Sequence, residues 1–423
     1  MKKEAIYQVA VVGAGASGLA AAVRCAQVQR ETGQKVSVLV LEGSAKPGRK
    51  LLATGNGKCN LTNLSAVQAG YHGDVHPAAA VLQACPPARV RAWFRTLGLL
   101  TKADEAGRVY PCNEQASAVL DCLCAALDDL GGTLCCGAAV TRICRENDSF
   151  ALFCGEEQVF HANRVILAGG GLASPKLGCG SDAAKLAVSL GHTVTPRFPA
   201  LVRLISPEIP AALKGVRVKT EVSLLDSGKP LAQAAGEAIF GAGSLSGICV
   251  MQVSRLAAQR GKSGGKLTLS MDLLPDLQEK ALADWLYTLA GAHPAWPAAR
   301  LLAGVLPTKL GPEVLRRCRV TRTCGELNRR DLAALAHAVK HFTLKIEGTG
   351  NWDDAQVTAG GVPLGELNIP AMASRRCPGL FITGELVNLD GDCGGFNLQW
   401  AWATGLSAGE AAARVFKKGK GKR

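Results

Sequence analysis

"VAVVGAGASGLAAA", residues 9–22, decides the fold of this chain. A β-branched apolar run over residues 5–12 stops at Gly13, and alanine-rich helical composition follows over residues 16–29. A second apolar run, "KVSVLVLE" at residues 35–42, ends on Glu42. Strand, glycine turn, helix and strand in that order predict a βαβ unit of a parallel sheet. Gly13, Gly15 and Gly18 form G-x-G-x-x-G, with Ala16 and Ser17 between the last two. Gly13 permits the tight turn, Gly15 lets backbone approach a pyrophosphate, and Gly18 allows close packing of helix on strand. Ala16 and Ser17 open the helix, whose first N–H groups and partial positive charge suit phosphate. Glu42 is placed to accept hydrogen bonds from both hydroxyls of an adenosine ribose. FAD and NAD share this fingerprint, so the choice between them rests on other segments.

Composition narrows the class. The chain has 423 residues, 48% hydrophobic and 19% charged, with 49 glycines, which fits a globular α/β protein of two or three units. Its net charge of +14 raises nucleic acid as a partner, but five of the basic residues sit in the tail "KKGKGKR" at 417–423. Aromatics are 5% and do not interleave with basic residues, so a base-stacking surface is not expected. The 16 cysteines show no C-x-x-C spacing, which predicts reduced, mostly buried thiols of a cytoplasmic protein and no zinc or thioredoxin-type centre. The seven histidines fall singly and suggest no metal ligand set. The lysines and apolar run at the start imitate a signal peptide, but Glu4 and the glycines argue for a first strand, and no run matches a membrane span.

Helical spacing runs over 87–97 and 115–130, and short alternating runs over 133–161 predict an antiparallel meander. "VILAGGG", residues 165–171, returns to a buried strand that ends in glycines. Pro196, Pro199, Pro207 and Pro210 then mark a boundary. Residues 216–254 alternate as strands and 275–341 carry helical stretches. "GLFITGE", residues 379–385, resumes strand-then-glycine grammar, and a closing helix follows from about Leu398. The expected organisation is a cofactor domain in two parts, 1–195 and 351–416, around a substrate-side insertion at 196–350. That insertion has strands over 196–272 and 342–350 and helices over 273–341, and a basic tail follows at 417–423.

"GRKLLATGNGKCNLTN" (48–63), "VILAGGG" and "GGFNLQWAWATG" (394–405) together resemble the bacterial flavoproteins known as aminoacetone oxidases or 3-dehydro-bile-acid reductases. The resemblance covers nearly the whole chain. It implies an α/β fold with a glutathione-reductase-type FAD-binding Rossmann domain and an inserted β-barrel-like plus helical domain. It implies non-covalent FAD. Arg49 and Lys50 would lie near the diphosphate, with Asn56, Gly57, Cys59 and Asn60 in a loop by the flavin, Cys59 as a packed thiol. The backbone of Val140 would meet adenine, and Ala168, Gly169 and Gly170 would approach the nucleotide. Gly384 and Glu385 would contact the ribityl–pyrophosphate stretch. The N–H groups of Gly395, Phe396 and Asn397 would face the ring and oppose its negative charge when reduced. Lys58 stands where the family has arginine, Phe396 where tyrosine is common, and Ala183–Ala184 where glycine-tyrosine is usual.

The expected activity is flavin-dependent oxidoreduction of a small molecule: reduction of an activated C=C bond in an enone-like or steroid-like substrate, with NADH or NADPH as transient donor. Oxidation of a small primary amine by O₂ is an alternative, and an RNA-modifying flavoprotein a third. No G-x-S-x-G or H-E-x-x-H occurs. No catalytic acid or base is named by the sequence, nor is an oligomeric state.

Overall fold

In a computed structural model of the chain, describing residues 6–67, 69–156, 158–178 and 183–414, strand β1 (Ile6–Val12) runs directly into the glycine turn. Helix α1 (Ala16–Glu31) and strand β2 (Val38–Glu42) complete the βαβ unit. Val9, Ala10, Val11 and Val12 are all buried, as both faces of a parallel sheet are covered. Helix α2 (Ala116–Asp129) leads to strand β3 (Thr133–Cys136), followed by β4 (Val140–Glu146), β5 (Ser149–Cys154) and β6 (Gln158–Leu167).

The meander expected over 133–161 is corrected in its first strand. β3 pairs in parallel with β2, while β4, β5 and β6 do form antiparallel neighbours. A four-residue strand does not encode its own partner, and α2 carries the chain across to the open edge of β2.

The chain folds as two compact units, Met1–Phe198 with Val357–Arg423, and Pro199–Gln356. In the second, the antiparallel pair β7 (Arg217–Asp226) and β8 (Lys229–Phe240) belongs to a seven-stranded sheet. The strands expected to continue to 254 stop earlier, because helix α3 (Ile248–Lys262) begins after Gly247. Gly247 has φ +101, and a Cβ there would lie 2.1 Å from the Glu237 carbonyl oxygen, so the close turn overrides the β-branched composition that follows. Strand β9 (Leu267–Asp272), helices α4 (Glu279–Ala292) and α5 (Arg329–Lys340), and strand β10 (Phe342–Ile346) follow. Val222, Leu224, Leu269, Leu335 and Leu344 belong to a core that this unit builds for itself.

The chain returns to the first unit and forms β11 (Leu380–Ile382) and α6 (Phe396–Ala413). β11, β6, β1, β2 and β3 lie in that order, every neighbouring pair parallel. α6 packs on α1 at very short range: a Cβ on Gly405 would lie 2.4 Å from Ser17 O, and one on Gly409 2.3 Å from Ala21 O. The first and last helices are thereby held backbone to backbone. The tail 417–423 lies outside the described residues.

Candidate functional site

Register brings the expected residues together. Val12 pairs with both Leu41 and Leu167, Leu167 with Ile382, and Glu42 with Cys136. The C-terminal ends of five parallel strands therefore lie along one edge of the sheet. The loops after β1, β2, β6 and β11 leave from that edge with Gly13–Gly18, Glu42, Ala168–Gly170 and Gly384–Glu385. Ligands of open α/β sheets bind outside this edge.

Within the glycine turn the three glycines have different reasons. Gly13 takes φ +103, and a Cβ there would lie 2.6 Å from Ala168 O; on Gly18 it would lie 1.9 Å from Gly13 O. Gly15 has an ordinary φ of −83°, and apart from its neighbours in the chain no described atom lies within 4 Å of where its Cβ would be. The protein itself requires the outer two glycines but supplies no steric reason for the middle one. Gly15 is the N-cap of α1, without a side-chain cap or an acidic residue in the first turn, so no side chain caps the N–H groups at this end. That combination fits the diphosphate of a dinucleotide. Ala16 and Ser17 form the first turn, and a Cβ on Gly384 (φ +67) would lie 2.6 Å from Ser17 Oγ.

Glu42 braces the same turn. Its Oε2 accepts from the Ala14 N–H at 2.8 Å and its Oε1 from the Ser44 N–H at 2.8 Å. Each carboxylate oxygen keeps a second lone-pair site for a ribose hydroxyl. The Ala138 N–H donates to Glu42 O at 2.8 Å, which draws the segment leading to Val140 alongside; Val140 itself is buried at the start of β4. Glu42→Ala is expected to lower FAD affinity at least about tenfold, since hydrogen bonds to a charged group contribute roughly 1.5–3 kcal/mol each. Fluorescence titration giving wild-type affinity would remove Glu42 from the cofactor.

Residues 49–60 divide. Arg49 donates through Nη2 to Lys176 O at 2.7 Å. Lys50 Nζ lies 2.6 Å from Glu385 Oε2, so two expected cofactor residues 335 positions apart form an ion pair. Glu385 Oε1 also accepts from the Thr358 N–H at 2.8 Å, and Thr358 Oγ1 accepts from the N–H groups of Leu172 and Ala173. Thr358 was invisible as a site residue because nothing in its local sequence marks it. Asn56 (φ 55) and Gly57 are exposed, and Lys58 reaches Glu114 at 2.7 Å. Cys59 is fully buried, and burial pushes its thiol up to about 12, so it packs rather than reacts.

Asn60 Oδ1 is buried with no hydrogen-bond partner among the described residues. Such an oxygen costs roughly 1–3 kcal/mol if left unpaired. It lies 2.9 Å from where a Cβ on Gly395 would stand, beside the N-cap of α6. An unpaired acceptor at a helix start fits a ligand with N–H groups, as an isoalloxazine has. Phe396 and Asn397 open α6; Asn397 Nδ2 donates to Gly391 O at 2.7 Å and the Tyr71 hydroxyl donates to Phe396 O at 2.9 Å. Trp400 and Trp402 are buried and donate to Gly384 O and Leu61 O, so both pack the helix.

Beside this helix start lies a pair the sequence did not mark: His72 Nε2 is 2.8 Å from Asp392 Oδ1. The strands Tyr71–Gly73 and Leu389–Gly391 pair antiparallel and bring them together. A different constellation has the spacing of a hydrolytic triad, with His192 Nε2 at 2.8 Å from Ser374 Oγ and Nδ1 at 2.8 Å from Glu366 Oε2. Ser374 Oγ also accepts the N–H groups of Arg376 and Cys377, and the His192 side chain is fully buried. Burial works to raise the Glu366 pKa, but hydrogen bonds from Thr193, Arg376 and His192 bring it down to about 2. The hydroxyl caps a turn, and the cluster ties β-edge to loop.

A family model described as the HI0933-like protein Rossmann domain matches residues 7–411. The 3-dehydro-bile acid delta(4,6)-reductase of Clostridium scindens is 37% identical over 410 residues, 96% of this chain and 99% of its own. A ribosomal RNA dihydrouridine synthase of Escherichia coli is 29% identical over 409 residues, 94% of this chain and 96% of its own. Among solved structures, the 3-ketosteroid delta1-dehydrogenase of Sterolibacterium denitrificans superposes with a TM-score of 0.52 at 14% identity, over 96% of this chain and 99% of that one. That likeness is one of fold.

Proposed function

The chain belongs to the HI0933-like Rossmann family, and from that premise we propose that it is an FAD-dependent oxidoreductase that adds hydrogen across a C=C bond conjugated with a carbonyl, with NADH or NADPH as electron donor. The observation that carries the substrate class is the 37% identity, end to end, to a reductase of 3-oxo bile acids. A steroid-like enone is the substrate favoured. The dihydrouridine synthase name describes hydrogen added across a C=C bond conjugated with a carbonyl in uracil, so RNA is the second reading, on one and the same bond chemistry.

FAD, when bound, supplies the relay of hydride from donor to acceptor. The chain's own residues hold and tune it. The first turn of α1 and the open space at Gly15 take the diphosphate. Glu42 would hold the adenosine ribose, and the Lys50–Glu385 pair, which braces the loop after β11, would stand at the ribityl stretch. N–H groups at the start of α6 would oppose negative charge at a flavin held there, and Asn60 Oδ1, buried without a partner among the described residues, would accept from a ligand N–H. Addition to an enone needs hydride at the β-carbon and a proton at the α-carbon. His72 is the candidate proton donor: Asp392 engages Nε2 and orients the ring, leaving Nδ1 to carry the transferable proton.

The test is an anaerobic titration of FAD-loaded protein with NADH, NADPH and a small primary amine, followed by mixing with a 3-oxo-Δ4 steroid, an rRNA fragment or O₂. Expected are bleaching by a nicotinamide and reoxidation by the steroid. Bleaching by the amine alone, with reoxidation by O₂ and not by the enone, would establish the oxidase reading instead; reoxidation by RNA alone would establish the second. His72→Phe is expected to slow enone-driven reoxidation roughly 10²–10⁴-fold while leaving reduction by nicotinamide unchanged. Equal reoxidation rates would place the proton source elsewhere.

A further inference from the structure

The second unit carries a cluster that the flavin chemistry does not use. His337 and His341 stand one turn apart at the end of α5, so they share a face. Glu279 opens α4 and reaches both: His337 Nδ1 is 3.1 Å from Oε1 and His341 Nε2 is 3.3 Å from Oε2. The two imidazole rings are 4.5 Å apart between centroids. One ligand atom from each residue lies within 4.8 Å of the others, a grouping that could hold a metal ion.

Two of these separations, one to each carboxylate oxygen of Glu279, are near those a metal needs. Two ligands at 2.0–2.1 Å from a tetrahedral zinc ion stand about 3.4 Å apart. Both histidine–carboxylate distances are within a few tenths of an ångström of that edge. The site is also built before any ion arrives. Lys340, between the two histidines in sequence, sends its ammonium to Leu274 O at 2.8 Å and Leu277 O at 2.5 Å and pairs with Asp272 Oδ2 at 2.7 Å. This clamps the segment leading into α4 against the end of α5. Both histidines lie where the exposed carbonyls of α5 favour positive charge.

We infer that Glu279, His337 and His341 form a surface site for one divalent ion of the zinc class, with water at the fourth position, joining α4 to α5. Two imidazoles and one carboxylate select zinc, nickel or copper over magnesium and calcium, which prefer oxygen alone. The site is structural: three side chains at the surface staple two helices of one unit, and metal binding adds directly to the stability of the folded form.

The experiment uses full-length, FAD-loaded protein stripped of metal with a chelator and titrated with zinc chloride by calorimetry, with melting followed in parallel. The side chains of His337, His341 and Glu279 are 62%, 51% and 42% exposed, so their replacement leaves the core intact. Wild type is expected to bind one more equivalent than His337→Ala/His341→Ala and to melt higher with zinc, while the double variant does not. Glu279→Gln is expected to weaken that equivalent at least as much as the roughly 10–100-fold loss seen when an outer partner is removed. The double variant keeps every cysteine, so thiol-bound zinc registers equally in both proteins. Equal stoichiometry and affinity in the two would overturn the assignment and leave a hydrogen-bonded surface cluster.

Discussion

Gly18→Ala lowers FAD affinity by up to about 150-fold while Gly15→Ala leaves the apoprotein as stable as wild type: this contrast is the expected outcome of changing two glycines of one motif. A Cβ on Gly18 would lie 1.9 Å from Gly13 O, a backbone atom that cannot rotate away. The turn must open, which displaces the N–H groups at the start of α1. Overpacking of this kind costs typically about 1–3 kcal/mol, and taken from the bound state that is roughly 5- to 150-fold in affinity. The upper end is expected because the clash is with backbone. At Gly15 the φ of −83° suits any residue and the surroundings are open, so alanine disturbs nothing in the protein. Only a ligand pressed against that position would feel the methyl group. Flavin content and fluorescence titration measure affinity, and apoprotein melting measures stability. A Gly15→Ala protein with wild-type FAD affinity would mean that the diphosphate lies elsewhere.

At the other end of the chain, Gly395→Val is expected to slow anaerobic flavin reduction by about 10²–10³-fold in fully FAD-loaded protein, the usual loss when one well-aimed donor to developing charge is removed. Gly395 has φ +102, a conformation that a β-branched residue rarely adopts. Its Cβ would lie 2.5 Å from the carbonyl carbon and oxygen of Thr62 and 2.9 Å from Asn60 Oδ1. The start of α6 and the loop at 60–62 must therefore move apart. Occupancy falls too, because the displaced loop holds the unpaired Asn60 oxygen, but the glycine turn at 13–18 is untouched. Stopped-flow reduction by whichever nicotinamide bleaches wild type faster decides the matter. A wild-type rate in the loaded variant would show that α6 does not stabilise the reduced cofactor.

Much of the backbone framework of this candidate site is legible because its signals are local. A glycine that must turn at φ +103, a helix that opens on the next residues and an acid at the end of the following strand all depend on backbone conformation within a few dozen positions. Partners were not legible. Residues 133–136 alternate as any edge strand does, yet they extend the parallel sheet. The apolar run from Ile248 reads as strand, yet a turn at Gly247 pressed against Glu237 commits it to helix.

The sequence by itself determined the βαβ start, the closing glycine-led helix, the dinucleotide class of ligand and the residue types available to hold it. Each of these follows from short-range sterics and hydrogen bonding, which neighbouring residues alone dictate. Only the tertiary structure decided which distant groups meet: Lys50 with Glu385, His72 with Asp392, and Glu279 with His337 and His341. Those meetings depend on strand order, register and the packing of whole helices, and a side chain's long-range partner leaves no periodicity in the chain that carries it.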